Sequence, residues 1–466
     1  MNDSTIAAIA TPAGMGAIAV LRLSGAHAIP ICESVFVPSQ KGKKLIEQPP
    51  YTIHYGKIVD KSITIDQVLV SLFRAPNSYT GEDVVEISCH GSTLIQKQIL
   101  ELLIRNGATH AQAGEFTLRA FLNGKMDLSQ AEAVADLIAS SSEAARRVAI
   151  DQMRGGFSNQ LHDLRNQLLH FISLIELELD FSEEDVEFAD RKQLYSLIER
   201  IADQTSKLLE SFKFGNVIKT GIPVAIAGKP NVGKSTLLNR ILNEEKAIVS
   251  DIAGTTRDAI EDTISIEGIA FRFIDTAGLR HTTDTIESIG IERAYTKISQ
   301  ALIVLLLIDG RDAIATVMEE INNIRKSLKD NQRMIILVNK SDMVTAQSLQ
   351  ATTDSLKSTL PDIKTISLSA KQGENIDALL HELISDFQQP LANSEAVIVT
   401  NARHYESLLK AYENLHRVMD GINNQTPTDL LAMDIRQVLH YIGEITGQIT
   451  TDEILGSIFS KFCIGK

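Results

Sequence analysis

Hydrophobic positions change their spacing along the chain, and each change marks a new segment. In the first 118 residues, short apolar runs at 17–23, 68–73 and 84–88 are separated by Gly and Pro, a pattern typical of strands joined by turns. From 157 to 214 there is no Gly or Pro, and apolar side chains recur at 161, 164, 168, 172 and 175. Spacings of three and four residues predict long amphipathic helices there.

A second change begins near residue 223. Strand-like apolar runs at 223–227, 271–274, 301–308, 334–338 and 365–368 alternate with polar amphipathic stretches, which is typical of a doubly wound α/β domain. After Pro390, the stretch 391–420 again lacks Gly and Pro and predicts a return to helix. The expected fold is therefore α+β and multidomain. Its predicted parts are an N-terminal mixed-sheet domain (1–118), a helical domain in two pieces (119–215 and 389–466), and an inserted α/β domain (216–388).

Composition narrows the class of protein. The chain has 466 residues, 44% hydrophobic and 22% charged, ordinary globular values that exclude disorder and fibrous folds. Its 45 Lys and Arg against 59 Asp and Glu give a net charge of −14, so any nucleic acid must be held by a local basic patch or by another subunit. Cys32, Cys89 and Cys463 form no paired C-x-x-C motif, and no apolar run is long enough to span a bilayer. We expect a cytoplasmic protein with no membrane partner.

Residues 228–235, GKPNVGKS, match the phosphate-loop pattern G-x-x-x-x-G-K-[ST] between a predicted strand and a predicted helix. The loop's backbone N–H groups and the helix N-terminus can hold phosphates, Lys234 can reach the β- and γ-phosphates, and Ser235 can bind Mg²⁺. We expect nucleotide contacts from this loop at Asn231, Val232, Gly233, Lys234, Ser235 and Thr236.

Three further motifs indicate which nucleotide binds. DTAG at 275–278 closes a strand and places a carboxylate near the metal. NKSD at 339–342 follows a buried strand, and its last carboxylate can accept hydrogen bonds from N1 and N2 of guanine, which adenine does not offer. SAK at 369–371 suits a loop that contacts guanine O6 through its backbone. GTP is therefore the predicted nucleotide, with contacts from Asp275, Thr276, Ala277, Gly278, Asn339, Lys340, Ser341, Asp342, Ser369, Ala370 and Lys371.

In this order the motifs resemble the translation-factor-related GTPases. The resemblance implies a first switch loop made of Ser250, Asp251, Ile252, Ala253, Gly254, Thr255 and Thr256, with Thr256 as a second Mg²⁺ ligand. Leu279 stands where Ras-like proteins carry a water-positioning Gln. In GTPases similar to this one, K⁺ is bound by an Asn side chain of the phosphate loop and by oxygens of the first switch loop. The matching residues here are Asn231, Ser250, Ile252 and Thr255. The alternative for Asn231 is a stabilised turn of the phosphate loop.

Longer motifs extend the resemblance to essentially the whole chain. They are TPAGMGAIAVLRLSG at 11–25, NSYTGEDVVEISCHG at 77–91, GEFTLRAFLNGKMDL at 114–128, QAEAVADLI at 130–138, DIAGTTRD at 251–258, DTAGLR at 275–280, ESIGIERA at 287–294 and CIGK at 463–466. Together they resemble the MnmE (TrmE) family of tRNA modification GTPases.

The resemblance implies an activity. With a flavin-dependent partner, MnmG (GidA), such a chain adds a carboxymethylaminomethyl or aminomethyl group to carbon 5 of the wobble uridine of certain tRNAs. It also implies a homodimer through the N-terminal domain, a heterotetramer or larger complex with MnmG, and transient pairing of GTPase domains that K⁺ and GTP promote. Glycine and ammonium both stay open as nitrogen donors.

The resemblance further implies that the N-terminal domain binds 5-formyl- or methylene-tetrahydrofolate through Arg22, Glu86, Lys125 and Lys466. Arg and Lys can pair with folate carboxylates, and Glu can accept from a pterin edge. Taken singly, each residue is more typical of a surface ion pair than of a folate site.

Two candidate catalytic residues follow from the same resemblance. Glu287 is expected to orient the attacking water, and Cys463 is a candidate nucleophile because a thiolate adding to C6 activates C5 of a uridine. A small buried packing thiol is the alternative for Cys463. For the chain as a whole, the alternative function is a ribosome-assembly GTPase similar to Era or Der, for which an RNA-binding KH module or a second phosphate loop would be expected.

Overall fold

A computed structural model describes residues 4–180, 191–243, 248–249, 262–274, 298–329, 331–392 and 397–466. By its internal contacts the chain divides into two compact units. The first comprises Met1–Ala135, Gln152–Ser196 and Asn414–Lys466, and the second comprises Asp136–Asp151 and Leu197–Glu413. Among the helices of the described ranges, none is long and apolar enough to cross a membrane.

The first unit begins with a seven-stranded mixed sheet, as the sequence predicts. Its strands are β1 (Ile6–Ile9), β2 (Ile18–Ser24), β3 (Phe36–Pro38), β4 (Thr52–Asp60), β5 (Ile63–Phe73), β6 (Val84–His90) and β7 (Thr109–His110). The spatial order is β3-β4-β5-β6-β2-β1-β7. All neighbours are antiparallel except β1 and β7, which are parallel.

One face of this sheet carries the core. Along β5, Val68, Val70 and Leu72 are buried while the residues between them are more exposed, the alternation of a half-buried strand. Helices α1 (Ala28–Val35) and α2 (Thr93–Arg105) supply buried side chains to the same core cluster. We call the opposite side, which includes Ile18, Arg22, Ile53, Tyr55, Leu69, Glu86 and His90, the open face of the first sheet.

Helices follow the first sheet in the chain, and they are divided between the two units. Those in the chain before the second sheet are α3 (Glu115–Leu122), α4 (Leu128–Ala139), α5 (Glu143–Met153), α6 (Gly156–Asp180) and α7 (Arg191–Thr220). Residues 463–466 form an irregular tail that returns to the first sheet, where Ile464 bridges Ala113 and the carbonyl of Lys466 accepts from the N–H of Phe116 at 3.2 Å.

The second unit contains a doubly wound sheet, which confirms the predicted fold class. Its strands are β8 (Ile222–Ala227), β9 (Ile248–Val249), β10 (Asp262–Ile266), β11 (Ile269–Phe273), β12 (Ile303–Asp309), β13 (Arg333–Asn339) and β14 (Lys364–Ser367), in the order β14-β13-β12-β8-β11-β10-β9. The five strands from β14 to β11 are parallel. Every residue of β12 is buried, as expected for a strand with helices on both faces.

Further helices lie in the second half of the chain. They are α8 (Lys234–Leu242), α9 (Ile314–Arg325), α10 (Ala346–Thr359), α11 (Ile376–Ala392), α12 (Ala402–Asn423), α13 (Thr428–Thr446) and α14 (Asp452–Phe459). Separate core clusters lie on the two faces of the sheet.

The predicted continuous helix after Pro390 is wrong in one place. Residues 397–401 are not helical and separate α11 from α12. The run 397–400 consists of β-branched residues, which disfavour helix, and the N–H of Val399 bonds to the Ser211 hydroxyl at 3.0 Å. Asn401 then accepts from the N–H of Arg403 at 3.0 Å, so α12 begins with a side-chain cap.

Candidate functional site

The phosphate loop lies between β8 and α8, where the sequence predicts it. Gly228 and Gly233 have φ of +138° and +105°, values that favour glycine. A Cβ at Gly228 would lie 2.3 Å from the carbonyl oxygen of Leu307, and one at Gly233 would lie 2.3 Å from Nδ2 of Asn339. Asn231 also has positive φ, +63°. The loop therefore packs too closely for larger residues at 228 and 233, and its backbone turn is the cradle predicted to hold phosphate.

Lys234 occupies this cradle. Its Nζ donates to the carbonyl oxygens of Gly228 at 2.6 Å and Lys229 at 2.7 Å. Burial lowers the pKa of Lys234, and the negative charge of Glu320 opposes that shift. The ammonium is thus held over the loop by weak neutral acceptors, which anionic phosphate oxygens can replace with stronger bonds.

The guanine-recognition motif is bonded directly to the phosphate loop. Asn339, at the end of β13, is buried and donates through Nδ2 to the carbonyl of Val232 at 2.7 Å. Its Oδ1 accepts from the N–H of Ala370 at 2.9 Å. One side chain therefore joins three predicted nucleotide-binding segments.

Asp342 is positioned by the third motif. The hydroxyl of Ser369, itself fully buried, donates to Oδ1 of Asp342 at 2.6 Å and accepts from the N–H of Gln372 at 3.1 Å. Because an anchored carboxylate keeps its second oxygen available, Asp342 can accept from a guanine edge without first losing side-chain freedom.

Asp309 is a site residue that the sequence reasoning missed. Its carboxylate accepts from Arg311 Nε at 2.9 Å and from Lys340 Nζ at 2.7 Å. These two cations, Arg311 first, hold the pKa of Asp309 well below its usual range. Its position at the carboxyl end of a predicted strand could have identified Asp309 as a candidate, since ligands of open α/β sheets bind at that edge.

Glu320 on α9 is a second residue that was missed. Its Oε2 lies 3.9 Å from Nζ of Lys229, and burial raises its pKa while Lys229 opposes that rise. Glu320 therefore places a half-buried negative charge beside the phosphate loop.

Several predicted site residues lie outside the described residues. They are Ser250, Asp251, Ile252, Ala253, Gly254, Thr255, Thr256, Asp275, Thr276, Ala277, Gly278 and Glu287. Ser235 and Thr236 lie in the first turn of α8, and Ser341 and Lys371 lie in the two guanine loops, so the described half of the predicted nucleotide site is assembled at one edge of the sheet.

A second group of predicted residues meets on the open face of the first sheet. Arg22 pairs with Glu86 across β2 and β6, with Nη2 and Oε1 2.7 Å apart. The guanidinium lies 5.6 Å from the ring centre of Tyr79 and 5.7 Å from that of Phe116. Its Nη1 also donates to the carbonyl of Gly465 at 3.5 Å. The terminal tail thus reaches the predicted folate pair.

Lys125 joins this group only through a shared loop. Its Nζ donates to the carbonyl of Pro76 at 3.0 Å, and the same loop carries Tyr79, whose ring lies against Arg22.

Cys463 is exposed, whereas Cys32 and Cys89 are buried. The buried packing alternative for Cys463 is therefore wrong.

Comparison with known proteins covers the whole chain. The model of the MnmE helical domain matches residues 128–463, and that of the GTP-binding protein TrmE N-terminus matches residues 5–125. The chain belongs to the MnmE family. Proteins named tRNA modification GTPase MnmE are 54% identical in Flavobacterium johnsoniae and 54% identical in Bacteroides thetaiotaomicron, with 100% of both chains covered in each case. The relative from Cytophaga hutchinsonii is 52% identical over 100% of this chain and 98% of its own.

Similarity to solved structures is partial by comparison. A crystal structure of a variant of Aquifex aeolicus Era bound to GDP·AlF4⁻ is 28% identical, covers 41% of this chain and 66% of that chain, and has a TM-score of 0.28. The MnmE relatives extend over both compact units, including the first sheet and the terminal tail, and so favour MnmE over the Era- or Der-like alternative.

Proposed function

We propose that this protein is a GTP-hydrolysing subunit of a tRNA-modifying enzyme. The observation that carries the GTP assignment is the pair of hydrogen bonds made by the Asn339 side chain. They join the phosphate loop at Val232 to the guanine loop at Ala370. The anchored Asp342 supplies the carboxylate that distinguishes guanine from adenine.

Nucleotide competition tests this assignment. Excess ATP should not inhibit the hydrolysis of GTP, whereas excess GDP should inhibit it. Asp342→Asn should lose preference for GTP and gain preference for xanthosine triphosphate, because xanthine presents an oxygen where guanine presents an amine. Equal use of ATP and GTP by the parent protein would refute the guanine site.

Two cations complete the proposed hydrolytic site. Ser235 and Thr256 would hold Mg²⁺, which neutralises charge between the β- and γ-phosphates. Asn231, Ser250, Ile252 and Thr255 would hold K⁺, and Glu287 would orient water for attack. The exposed side chain of Asn231 supports this assignment because it is accessible to a cation, while its positive φ is equally expected of an Asn that only stabilises the turn.

The K⁺ proposal is tested by GTP turnover in K⁺ and in Na⁺ at fixed ionic strength. Asn231→Gly removes the side chain but tolerates the positive φ, so it should keep GTP affinity and lose K⁺ stimulation. Asn231→Asp retains an oxygen ligand and should keep part of it. Equal rates of the parent in the two salts would end this part of the proposal.

The first sheet is proposed to bind the tetrahydrofolate one-carbon donor. Arg22 and Glu86 form a half-buried pair, and the Arg22 guanidinium lies near the rings of Tyr79 and Phe116, a setting that suits a flat heterocycle with a hydrogen-bonding edge. Lys125 and Lys466 would pair with the carboxylates of the ligand.

Titration with 5-formyltetrahydrofolate tests this site. Arg22→Lys and Glu86→Gln should each weaken binding by roughly 10-fold or more, because each disrupts the charge-assisted hydrogen bonds from Nε and Nη2 of Arg22 to Oε1 of Glu86. Arg105→Lys is the matched control. Nη2 of Arg105 lies 2.7 Å from Oδ2 of Asp60, a residue of the same sheet, and this ion pair is not part of the proposed folate site. Loss of affinity in the control alone would contradict the assignment.

A homodimer through the first sheet is the proposed assembly. On the open face, Ile53, Tyr55 and Leu69 are 65%, 54% and 45% exposed, and Tyr55 and Leu69 are cross-strand neighbours. Such a contiguous apolar strip is typical of an interface. Light scattering of Ile53→Lys should report a monomer, whereas Met433→Lys, at an exposed apolar position on α13, should leave the dimer intact.

MnmG, a flavoprotein, and tRNA are the proposed partners, and carbon 5 of the wobble uridine is the proposed target. Mass spectrometry of tRNA nucleosides from a deletion strain tests this, with complementation by the parent, Asp342→Asn and Cys463→Ser. Only the parent should restore the modified uridine. A strain with normal tRNA but defective ribosome assembly would instead support the Era- or Der-like alternative.

A further inference from the structure

A buried carboxylate holds an exposed imidazole at one end of the first sheet. Oδ1 of Asp66 lies 2.7 Å from Nδ1 of His90, and Oδ2 accepts from the backbone N–H of His90 at 2.8 Å. The Asp66 side chain is 8% exposed and the His90 side chain 70% exposed.

The partners of Asp66 determine the tautomer of His90. The backbone N–H groups of Gln67 and His90 both donate to this carboxylate, so it acts as an acceptor at each oxygen. Nδ1 of His90 therefore carries the proton that it donates, and the neutral ring presents the lone pair of Nε2 to solvent.

The backbone around His90 is fixed from two sides. β5 has an irregular register opposite Ile58 and Val59, directly beside Asp66, and such irregularities re-aim side chains. Gly91 exchanges backbone hydrogen bonds with Gly16 and Ala17 at 3.1 and 3.2 Å, and a Cβ at Gly91 would lie 2.2 Å from the carbonyl oxygen of Gly16. An imidazole exposed to solvent is thus held more firmly than a surface side chain requires.

His90 lies on the open face with the proposed folate pair. β2 and β6 pair Arg22 with Glu86 and Ile18 with His90, so the imidazole is four residues along the same strand from Glu86, roughly 13 Å at 3.3 Å per residue. The exposed Ile18 stands directly opposite it. The Arg22–Glu86 pair and the imidazole of His90 thus share one face of the sheet.

We propose that His90 is a proton-transfer residue of the one-carbon chemistry on this face, with Asp66 as its positioning residue. This rests on the proposed folate-dependent function. When an amine nitrogen attacks the methylene carbon of 5,10-methylenetetrahydrofolate, a C–N bond forms, the bond from that carbon to N10 of the folate breaks, and N10 keeps the electron pair and takes a proton from solvent. The attacking nitrogen must then lose a proton. Nε2 takes that proton, and the electron pair of the broken N–H bond becomes the nitrogen lone pair. The Asp66 carboxylate stabilises the imidazolium, which releases its proton to solvent.

The test is steady-state tRNA modification by the full chain with its flavoprotein partner, 5,10-methylenetetrahydrofolate and ammonium. His90→Gln should lower kcat by roughly 10²- to 10⁴-fold, while the affinity for 5-formyltetrahydrofolate and the GTP turnover stay within about 2-fold of the parent. His90→Ala should behave alike and regain activity with added imidazole. Asp66→Asn should lower kcat less and shift its pH profile. His110→Gln, at an exposed His on β7, is the matched control.

Three outcomes would overturn the proposal. One is a kcat for His90→Gln close to that of the parent or of His110→Gln. Another is a fall in folate affinity that accounts for the whole loss of activity. The third is a loss in His90→Ala, with normal thermal unfolding, that imidazole does not restore. A parent complex that modifies no tRNA would instead refute the proposed function itself.

Discussion

Lys340 of the guanine-recognition loop donates a hydrogen bond to the backbone carbonyl of Asn231 in the phosphate loop, 2.8 Å away. The same ammonium contacts Asp309 at 2.7 Å. Because Asn231 is also the proposed K⁺ ligand, the base-recognition motif and the cation site share one short segment of backbone. Lys340 therefore joins the backbone of the phosphate loop to the carboxylate of Asp309.

Asp309→Asn should raise KM for GTP by roughly 10-fold, since a charge-assisted hydrogen bond contributes about 1.5–3 kcal/mol. Lys340 loses its anionic partner, while the residues proposed for hydrolysis are unchanged, so kcat in K⁺ should stay within about 3-fold. Steady-state kinetics checks this. Asp354→Asn, at an exposed position on α10, serves as control, and an unchanged KM in Asp309→Asn would contradict the role.

The same pair predicts a pH response. Arg311 and Lys340 hold the pKa of Asp309 below its ordinary value, so the carboxylate stays ionised as the pH falls from 8 to 5, and its contribution is lost only in stronger acid. The ratio of KM between Asp309→Asn and the parent should consequently be constant over that range. A ratio that falls toward one near pH 5 would show that Asp309 takes up a proton there.

Ser369→Ala should weaken GTP binding by roughly 3- to 10-fold. The hydroxyl at this position anchors Asp342 at 2.6 Å, and its loss leaves the carboxylate free to rotate and the N–H of Gln372 without its present acceptor. Calorimetric titration with GDP measures this. Ser358→Ala, on the exposed end of α10, should bind normally, and equal affinities in the two variants would exclude the anchoring role.

Gly465→Ala should release the terminal tail. Gly465 has φ of +95°, and a Cβ there would lie 2.4 Å from the carbonyl oxygen of Ile9. Folate affinity and tRNA modification should both fall, while GTP turnover stays unchanged. Gly456→Ala is the matched control because nothing lies within 4 Å of its Cβ position. Normal folate binding in Gly465→Ala would mean that the tail takes no part in that site.

Thiol labelling should distinguish the three cysteines. Burial raises the pKa of Cys32 to about 12 and that of Cys89 to about 11, so neither forms much thiolate near pH 8. Cys463 is exposed. Iodoacetamide should modify one thiol per chain in the native protein and three in denaturant, with none in native Cys463→Ser. Rapid labelling of two thiols in the native parent would contradict this.

The described part of the nucleotide site could be predicted because its motifs are local. A phosphate loop or an NKSD motif places its own functional groups within eight residues or fewer, directly after a strand whose apolar run is visible. Asp309 and Lys340, by contrast, meet because β12 and β13 are parallel neighbours. Asp66 and His90 meet at an irregularity in the pairing of β5. Strand order and register depend on the whole sheet, so periodicity alone could not join these pairs.

The contact between the first sheet and the terminal tail can form only at the end of synthesis. Arg22 and the carbonyl of Gly465 that it contacts are separated by 443 positions in the chain. At about 5–20 residues per second, a ribosome needs roughly 20–90 seconds to travel between them. The first sheet thus leaves the exit tunnel long before its last contacts exist. A product that terminates between residue 392 and the terminal tail therefore contains the second sheet but lacks the tail that contacts the proposed folate pair.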